Sequence, residues 1–121
     1  MDYKYYNRNP NGYRVPDCVT RAISTAMDIP YYDVMVLLKA NAIIYECDEL
    51  CVCCYQKILD NDFYLPHYLG EGRTVQEIID DFPEEDLILR MDGHLSCAKK
   101  GTLLDIFDCS DEIVTDFWIV K

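Results

Sequence analysis

The sequence predicts a single α+β domain, and three observations lead there. Apolar residues recur at helical spacing through the first two thirds of the chain. Short strand-like runs and a hairpin signal fill the last third. Half of the 121 residues are hydrophobic, enough for one core in one domain spanning 1–121. Helices first and strands second predict N-terminal helices packed on a C-terminal antiparallel sheet.

Residues 1–16, rich in Tyr, Asn, Pro and Gly, read as irregular, with Tyr3, Tyr5, Tyr6 and Tyr13 packing against the domain. Pro16-Asp17 opens the first helix, with Asp17 as N-cap and Val19, Ala22, Ile23, Ala26 and Met27 on one apolar face. Pro30 begins a second helix with Val34, Leu37 and Leu38 inward. A third is expected from about Glu46 to Leu59. Thr74-Val-Gln-Glu77 is a capping box for a fourth, ended by Phe82-Pro83. Asp86 to Met91 (DLILRM) reads as a strand. Leu95 to Lys99 and Thr102 to Phe107 flank Lys100-Gly101, a hairpin turn, and Ile113 to Val120 is the last strand.

Composition excludes several classes. A net charge of −11 argues against a nucleic-acid partner, which needs clustered Lys and Arg; it suits solubility or a basic partner. No apolar run approaches the roughly 20 residues of a membrane span, and MDYKYYNRNPNG lacks an apolar signal region, so a soluble, cytoplasmic protein is expected. Seven cysteines, an odd number without a signal, do not suggest a disulfide framework. They divide among core filling, metal binding and catalysis.

Cys18 sits in the first turn of the first helix, where free N–H groups and the helix dipole favour a thiolate, the nucleophilic form. A two-residue turn at Lys100-Gly101 pairs Lys99 with Thr102, hence Ser96 with Asp105 and His94 with Phe107. Alternation then puts His94, Ser96, Ala98, Leu103, Asp105 and Phe107 on one face. Leu95, Cys97, Leu104 and Ile106 form the other, the expected core face. His94 and Asp105 become diagonal neighbours within hydrogen-bond reach, so Asp105 can orient the imidazole and stabilise its cation. Asp108 has the opposite parity; a bulge would bring it in, which makes it the second candidate.

PDCVTRAIS, the capped TVQEIIDDFP and GHLSCAKKGTLLDIFDCSDEIVTDFW together resemble a family of small papain-like cysteine peptidase domains encoded by phages and prophages. The resemblance runs from about Asn9 to Trp118. It implies a papain-like fold with Cys18 as nucleophile, His94 as general base and acid and Asp105 as orienting residue. Asp105-Ile106-Phe107 stands where papain-like enzymes place Asn-Ser-Trp. Asp17-Cys18 is similar to the Asp-Cys of bacteriocin-processing peptidases. One position departs from the pattern. Papain-like enzymes commonly place an oxyanion-hole Gln six residues before the nucleophile, and here that residue is Gly12. Asn11 and Asn9 are the nearby amides expected to substitute, beside the backbone N–H of Cys18.

The expected chemistry is acyl transfer by a cysteine hydrolase, a peptidase or amidase on a protein or peptide substrate, without metal or cofactor. The alternative implied by the resemblance is a non-catalytic acidic phage protein on the same fold that binds and inhibits a host or defence factor. Cys47, Cys51, Cys53 and Cys54 crowd into CDELCVCC. The helical spacing of Cys47, Cys51, Cys54 and Ile58 points to packing; a zinc site with His67 as fourth ligand is the weaker reading. His67 alone reads as a loop residue that nothing orients. Cys97 is expected to be inert in the core, Cys109 to be core or a bystander, and Arg21 to hold an acidic residue or lie on the surface.

Overall fold

The computed structural model describes residues 1–121, and the fold is α+β, with four helices and one six-stranded mixed sheet. In chain order the elements are β1 (Asp2–Tyr5), α1 (Cys18–Met27), α2 (Tyr31–Tyr45), α3 (Val52–Lys57), β2 (His67–Leu69), α4 (Val75–Asp81), β3 (Asp86–Met91), β4 (His94–Lys99), β5 (Thr102–Asp105) and β6 (Val114–Val120). A π-helical turn, Ile58–Asp62, extends α3. The strands lie in the order β1-β5-β4-β3-β6-β2. Every neighbouring pair is antiparallel except β1 with β5, which is parallel.

The sheet is covered on both faces. Val19, Ala22, Ile23 and Ala26 of α1 pack with Val34, Leu38, Tyr55 and Ile58 on Ile88, Leu95, Cys97 and Trp118. On the opposite face Val75, Ile78 and Ile79 of α4 cover Leu87, Leu89, Ala98, Leu103 and Phe117. Leu87, Ile88 and Leu89 are therefore all fully buried, which is why β3 reads as an unbroken apolar run rather than an alternation. The expected single core face of the hairpin is thus corrected: Leu95 and Cys97 are buried, but Ala98 and Leu103 are equally so beneath α4.

Local signals were obeyed where no distant contact competed. Thr74 Oγ1 accepts the Glu77 N–H at 3.2 Å while Glu77 Oε1 accepts the Thr74 N–H at 3.1 Å, a complete capping box. Lys100 and Gly101 both have positive φ (49° and 87°), the conformation a two-residue type I′ hairpin turn requires, and Lys99 pairs with Thr102. The third helix begins later than expected. Glu46 turns left-handed (φ 52°), and Asp48 Oδ1 accepts the Leu50 N–H at 3.0 Å, so a side-chain turn replaces helix before Cys51. Cys47 and Cys51 consequently do not share a helical face with the buried Cys54 and Ile58; Cys51 is exposed at the N-cap.

Two strands arose where none was expected. Asp2–Tyr5 joins β5 as a parallel edge, and His67–Leu69 joins β6 as the opposite edge. Each is at most four residues, too short to announce itself by alternation. Beyond β2 the chain passes close to β6: a Cβ on Gly70 would lie 1.9 Å from the Val114 carbonyl oxygen, so only glycine fits. β6 carries a bulge where Arg90 pairs with Asp116 but Met91 with Val114, leaving Thr115 unpaired. No helix is long and apolar enough to cross a membrane.

Removing the cap tests how far α4 depends on local chemistry. Thr74→Ala is expected to cost about 1 kcal/mol, the usual worth of such a cap, in urea unfolding. A loss below about 0.3 kcal/mol would show that packing of Ile78 and Ile79 alone holds α4.

Candidate functional site

The first turn of α1 lies against β4, and an ion chain built from side chains on four segments runs beneath it. Asp17 occupies the N-cap position, yet its side chain makes no cap bond. The expected capping role is corrected, and the reason lies in its other partners. Asp17 Oδ1 accepts Arg21 Nε–H at 2.6 Å, and Oδ2 accepts the Tyr31 hydroxyl at 2.6 Å and the Asn9 amide at 3.2 Å. Arg21 Nη1–H donates to Asp105 Oδ1 at 3.1 Å. Asp17, Arg21 and Asp105 are all buried, so each charge is held by an opposite one rather than by water.

Asp105 is 2% exposed. Besides Arg21, its Oδ1 accepts the Ile106 N–H at 2.7 Å, and its Oδ2 accepts the Ser96 hydroxyl at 2.6 Å. His94 Nε2 lies 2.7 Å from the same Oδ2. A carboxylate acceptor requires the proton on Nε2, which leaves Nδ1 for another partner. Burial pushes the Asp105 carboxyl up, but His94, Ser96 and the Ile106 N–H outweigh it and hold the group below its ordinary 3.8. Burial opposes a charged His94, yet hydrogen bonding with Asp105, then Cys109 and Cys18, pushes its pKa up to about 11.

Cys18 is half-buried at the start of α1. Burial pushes its thiol up; the His94 side chain, the Leu95 N–H and the Arg21 charge lower it further than burial raises it. Both shifts run toward a thiolate at Cys18 and a protonated His94. The other cysteines differ. Cys97, enclosed beside the Leu104 carbonyl, is pushed up to about 12 by burial, as expected of an inert thiol. Cys53 lies 3.2 Å from Cys51, which pushes it up to about 11.

Cys18 and His94 share a cleft of about 240 Å³, walled by Val52, Tyr55, Arg90 and Leu95. The geometry brings His94 and Asp105 together, with Cys18 at the same cleft. Asp108 stands apart: exposed, its Oδ1 accepts the Ser110 N–H at 3.0 Å and closes a local turn. Neither expected oxyanion amide lines the cleft. The Asn9 amide is held by Asp17 and Tyr31, and Asn11 Nδ2–H donates to the Tyr32 hydroxyl at 3.4 Å. The Cys109 sulfur is 3.8 Å from Asp105 Oδ2, so His94, Asp105 and Cys109 offer three metal-ligating atoms within 4.8 Å of one another. The Arg21 guanidinium on Asp105 would repel a cation there, which weakens the trio as a metal site.

A second polar group escaped the sequence reading. His67 is not an unoriented loop residue. Its Nδ1 lies 3.2 Å from Asp60 Oδ2, its Nε2 is within hydrogen-bond distance of Asp116 Oδ2, and its ring stacks on Trp118 with centroids 4.3 Å apart. Arg90 Nε–H donates to Asp116 Oδ1, and Trp118 Nε1–H donates to Asp60 Oδ1 at 2.7 Å. The signal available in the sequence was parity: Asp116 stands two residues before the fully buried Trp118, in phase with it along the strand.

Two outcomes follow from the ion chain. Arg21→Met leaves two buried carboxylates without their cation and is expected to cost about 3–5 kcal/mol in urea unfolding; a loss under about 1 kcal/mol would mean that the chain is solvated. The lowered Asp105 pKa means that its ionised form adds stability above pH 3.8 and loses it as pH falls through the folded value. Asp105→Asn should therefore unfold with a shallower acid limb than wild type in thermal melts across pH; parallel limbs would contradict the assignment.

Comparison of the chain with known proteins finds no matching family model, no matching curated protein and no matching solved structure.

Proposed function

We propose that the chain is a cysteine hydrolase of papain-like arrangement, acting by acyl transfer on a protein or peptide substrate. The observation that carries this reading is the 2.7 Å contact of His94 with the buried Asp105 carboxylate, at a cleft that also holds Cys18. Three features support it. The nucleophile candidate opens a helix, where the dipole favours a thiolate. The base candidate begins an antiparallel strand on which that helix packs. The chain order Cys, His, Asp is the one found in papain-like enzymes, in line with the phage-domain resemblance and with a role in the host cell's cytoplasm.

In this mechanism the Cys18 thiolate attacks the substrate carbonyl carbon and forms a tetrahedral oxyanion. The first-turn N–H groups of α1, which no helix carbonyl can take, are the nearest donors for that oxygen. The His94 imidazolium protonates the leaving amine as the C–N bond breaks. The neutral imidazole then takes a proton from water, which attacks the thioester and releases the acid and Cys18. Asp105 holds the ring orientation and stabilises its cation throughout.

A second reading has its own support. With Asn9 and Asn11 bonded elsewhere, no side-chain amide supplies an oxyanion donor, and such a donor is worth about 2.7–4 kcal/mol of barrier lowering. The same domain would then act as an acidic binding protein that blocks a host or defence factor, and Cys18→Ala would keep its full biological effect.

The deciding experiment is alkylation by iodoacetamide against pH, read by mass spectrometry at each of the seven cysteines. Cys18 is expected to react fastest near neutral pH, with an apparent pKa below the ordinary 9.0, and His94→Ala should slow it about tenfold or more. Titration of Cys18 as an ordinary thiol, unaffected by His94→Ala, would sink the hydrolase reading.

A further inference from the structure

One cation lines the Cys18 cleft without being used by the ion chain beneath it. Arg90 lies near the end of β3, paired across β4 with Leu95 and across β6 with Asp116. Alternation puts it on the same face as Ile88, the face on which α1 packs. Its side chain is 22% exposed and reaches the cleft that holds Cys18 and His94.

The guanidinium is anchored at one point only. Nε–H donates to Asp116 Oδ1, and the buried Asp116 is braced in turn by His67, which Asp60 and the Trp118 ring hold in place. The two terminal nitrogens of Arg90 have no hydrogen-bond partner in the protein. By contrast, Arg21, the other arginine of this face, directs Nε and Nη1 to two different carboxylates. Arg90 is thus a fork whose stem is fixed and whose tines are free, the geometry that receives a carboxylate in two parallel N–H bonds. The rest of the wall is largely apolar (Val19, Val52, Tyr55, Leu95), so a charge pair formed there is poorly screened. Asp92 also lines the cleft, but it is an exposed turn residue whose charge solvent and salt screen.

We propose that Arg90 is the specificity residue of the site, and that it binds a carboxylate on the substrate beside the carbonyl that Cys18 attacks. The substrate class is an acidic peptide or another carboxylate-bearing acyl compound. The assignment rests on Cys18 being the nucleophile. It also answers a difficulty of charge: a protein of net charge −11 repels an acidic substrate at long range and needs a local cation to seat it.

Two small alkylating agents test this without knowledge of the natural substrate. Iodoacetate and iodoacetamide react with a thiolate in the same way, the sulfur forming a bond to the methylene carbon while iodide leaves. They differ in that only iodoacetate carries a carboxylate. The quantity measured is the ratio of their rates at Cys18 in the intact protein, so a general change in thiol reactivity cancels. Arg90→Gln, which keeps a donor for Asp116 but removes the cation, is expected to lower the iodoacetate-to-iodoacetamide ratio about tenfold. Arg90→Lys keeps the charge and should retain most of the wild-type ratio, which separates loss of charge from disturbance of Asp116. Equal ratios in wild type, Arg90→Gln and Arg90→Lys, with Cys18 reacting rapidly, would overturn the Arg90 assignment and leave the nucleophile intact. A fall of equal size in both variants would overturn it too, since it would trace to the shape of the site and not to its charge. Slow reaction of wild-type Cys18 with both reagents has a different signature: it overturns the nucleophile first and the carboxylate site with it.

Discussion

Arg21 between Asp17 and Asp105 is the interaction on which the rest of the site depends. It joins the first turn of α1 to the end of β5, across 84 residues of chain. Burying three charges is costly, and the arrangement is tolerable only because their signs alternate and each oxygen is hydrogen-bonded. The series continues outward: Asp105 meets His94 at 2.7 Å, and His94 shares a cleft with Cys18. The imidazole at the Cys18 cleft is therefore the last member of a series whose geometry is set in the core.

The same logic recurs around Asp116. This second buried carboxylate lies in phase with Trp118, on the face of β6 that packs toward α1, and gathers His67 from one edge strand and Arg90 from β3. It fastens β2 to the sheet, a three-residue strand that would have little stability alone. It also aims Arg90 at the cleft. Two buried carboxylates thus each hold a side chain that lines the cleft, Asp105 holding His94 and Asp116 holding Arg90. Environment likewise separates the cysteines. Cys97 and Cys54 are enclosed, which disfavours their thiolates, and only Cys18 combines a helix start, an imidazole and an open cleft.

Short-range signals in the sequence determined a good part of this protein. The apolar run of β3, the Thr74–Glu77 box and the Lys100-Gly101 turn each depend on residues no more than a few positions apart. The turn sets the register of β4 and β5, and that register alone makes His94 and Asp105 neighbours, so this contact was legible before any tertiary structure. Only the tertiary structure decided what involves segments far apart in the chain. Nothing local indicates that Asp2–Tyr5 lies parallel to β5, that α4 covers the second sheet face, or that Asp17 forgoes capping for Arg21 and Tyr31. The Asn9 amide was expected at the oxyanion and is bonded in the core for the same reason. His67 meets Asp116 across 49 residues. Such pairings are selected by which buried charges can find partners once the core closes, and that selection is made by the whole fold rather than by any one segment.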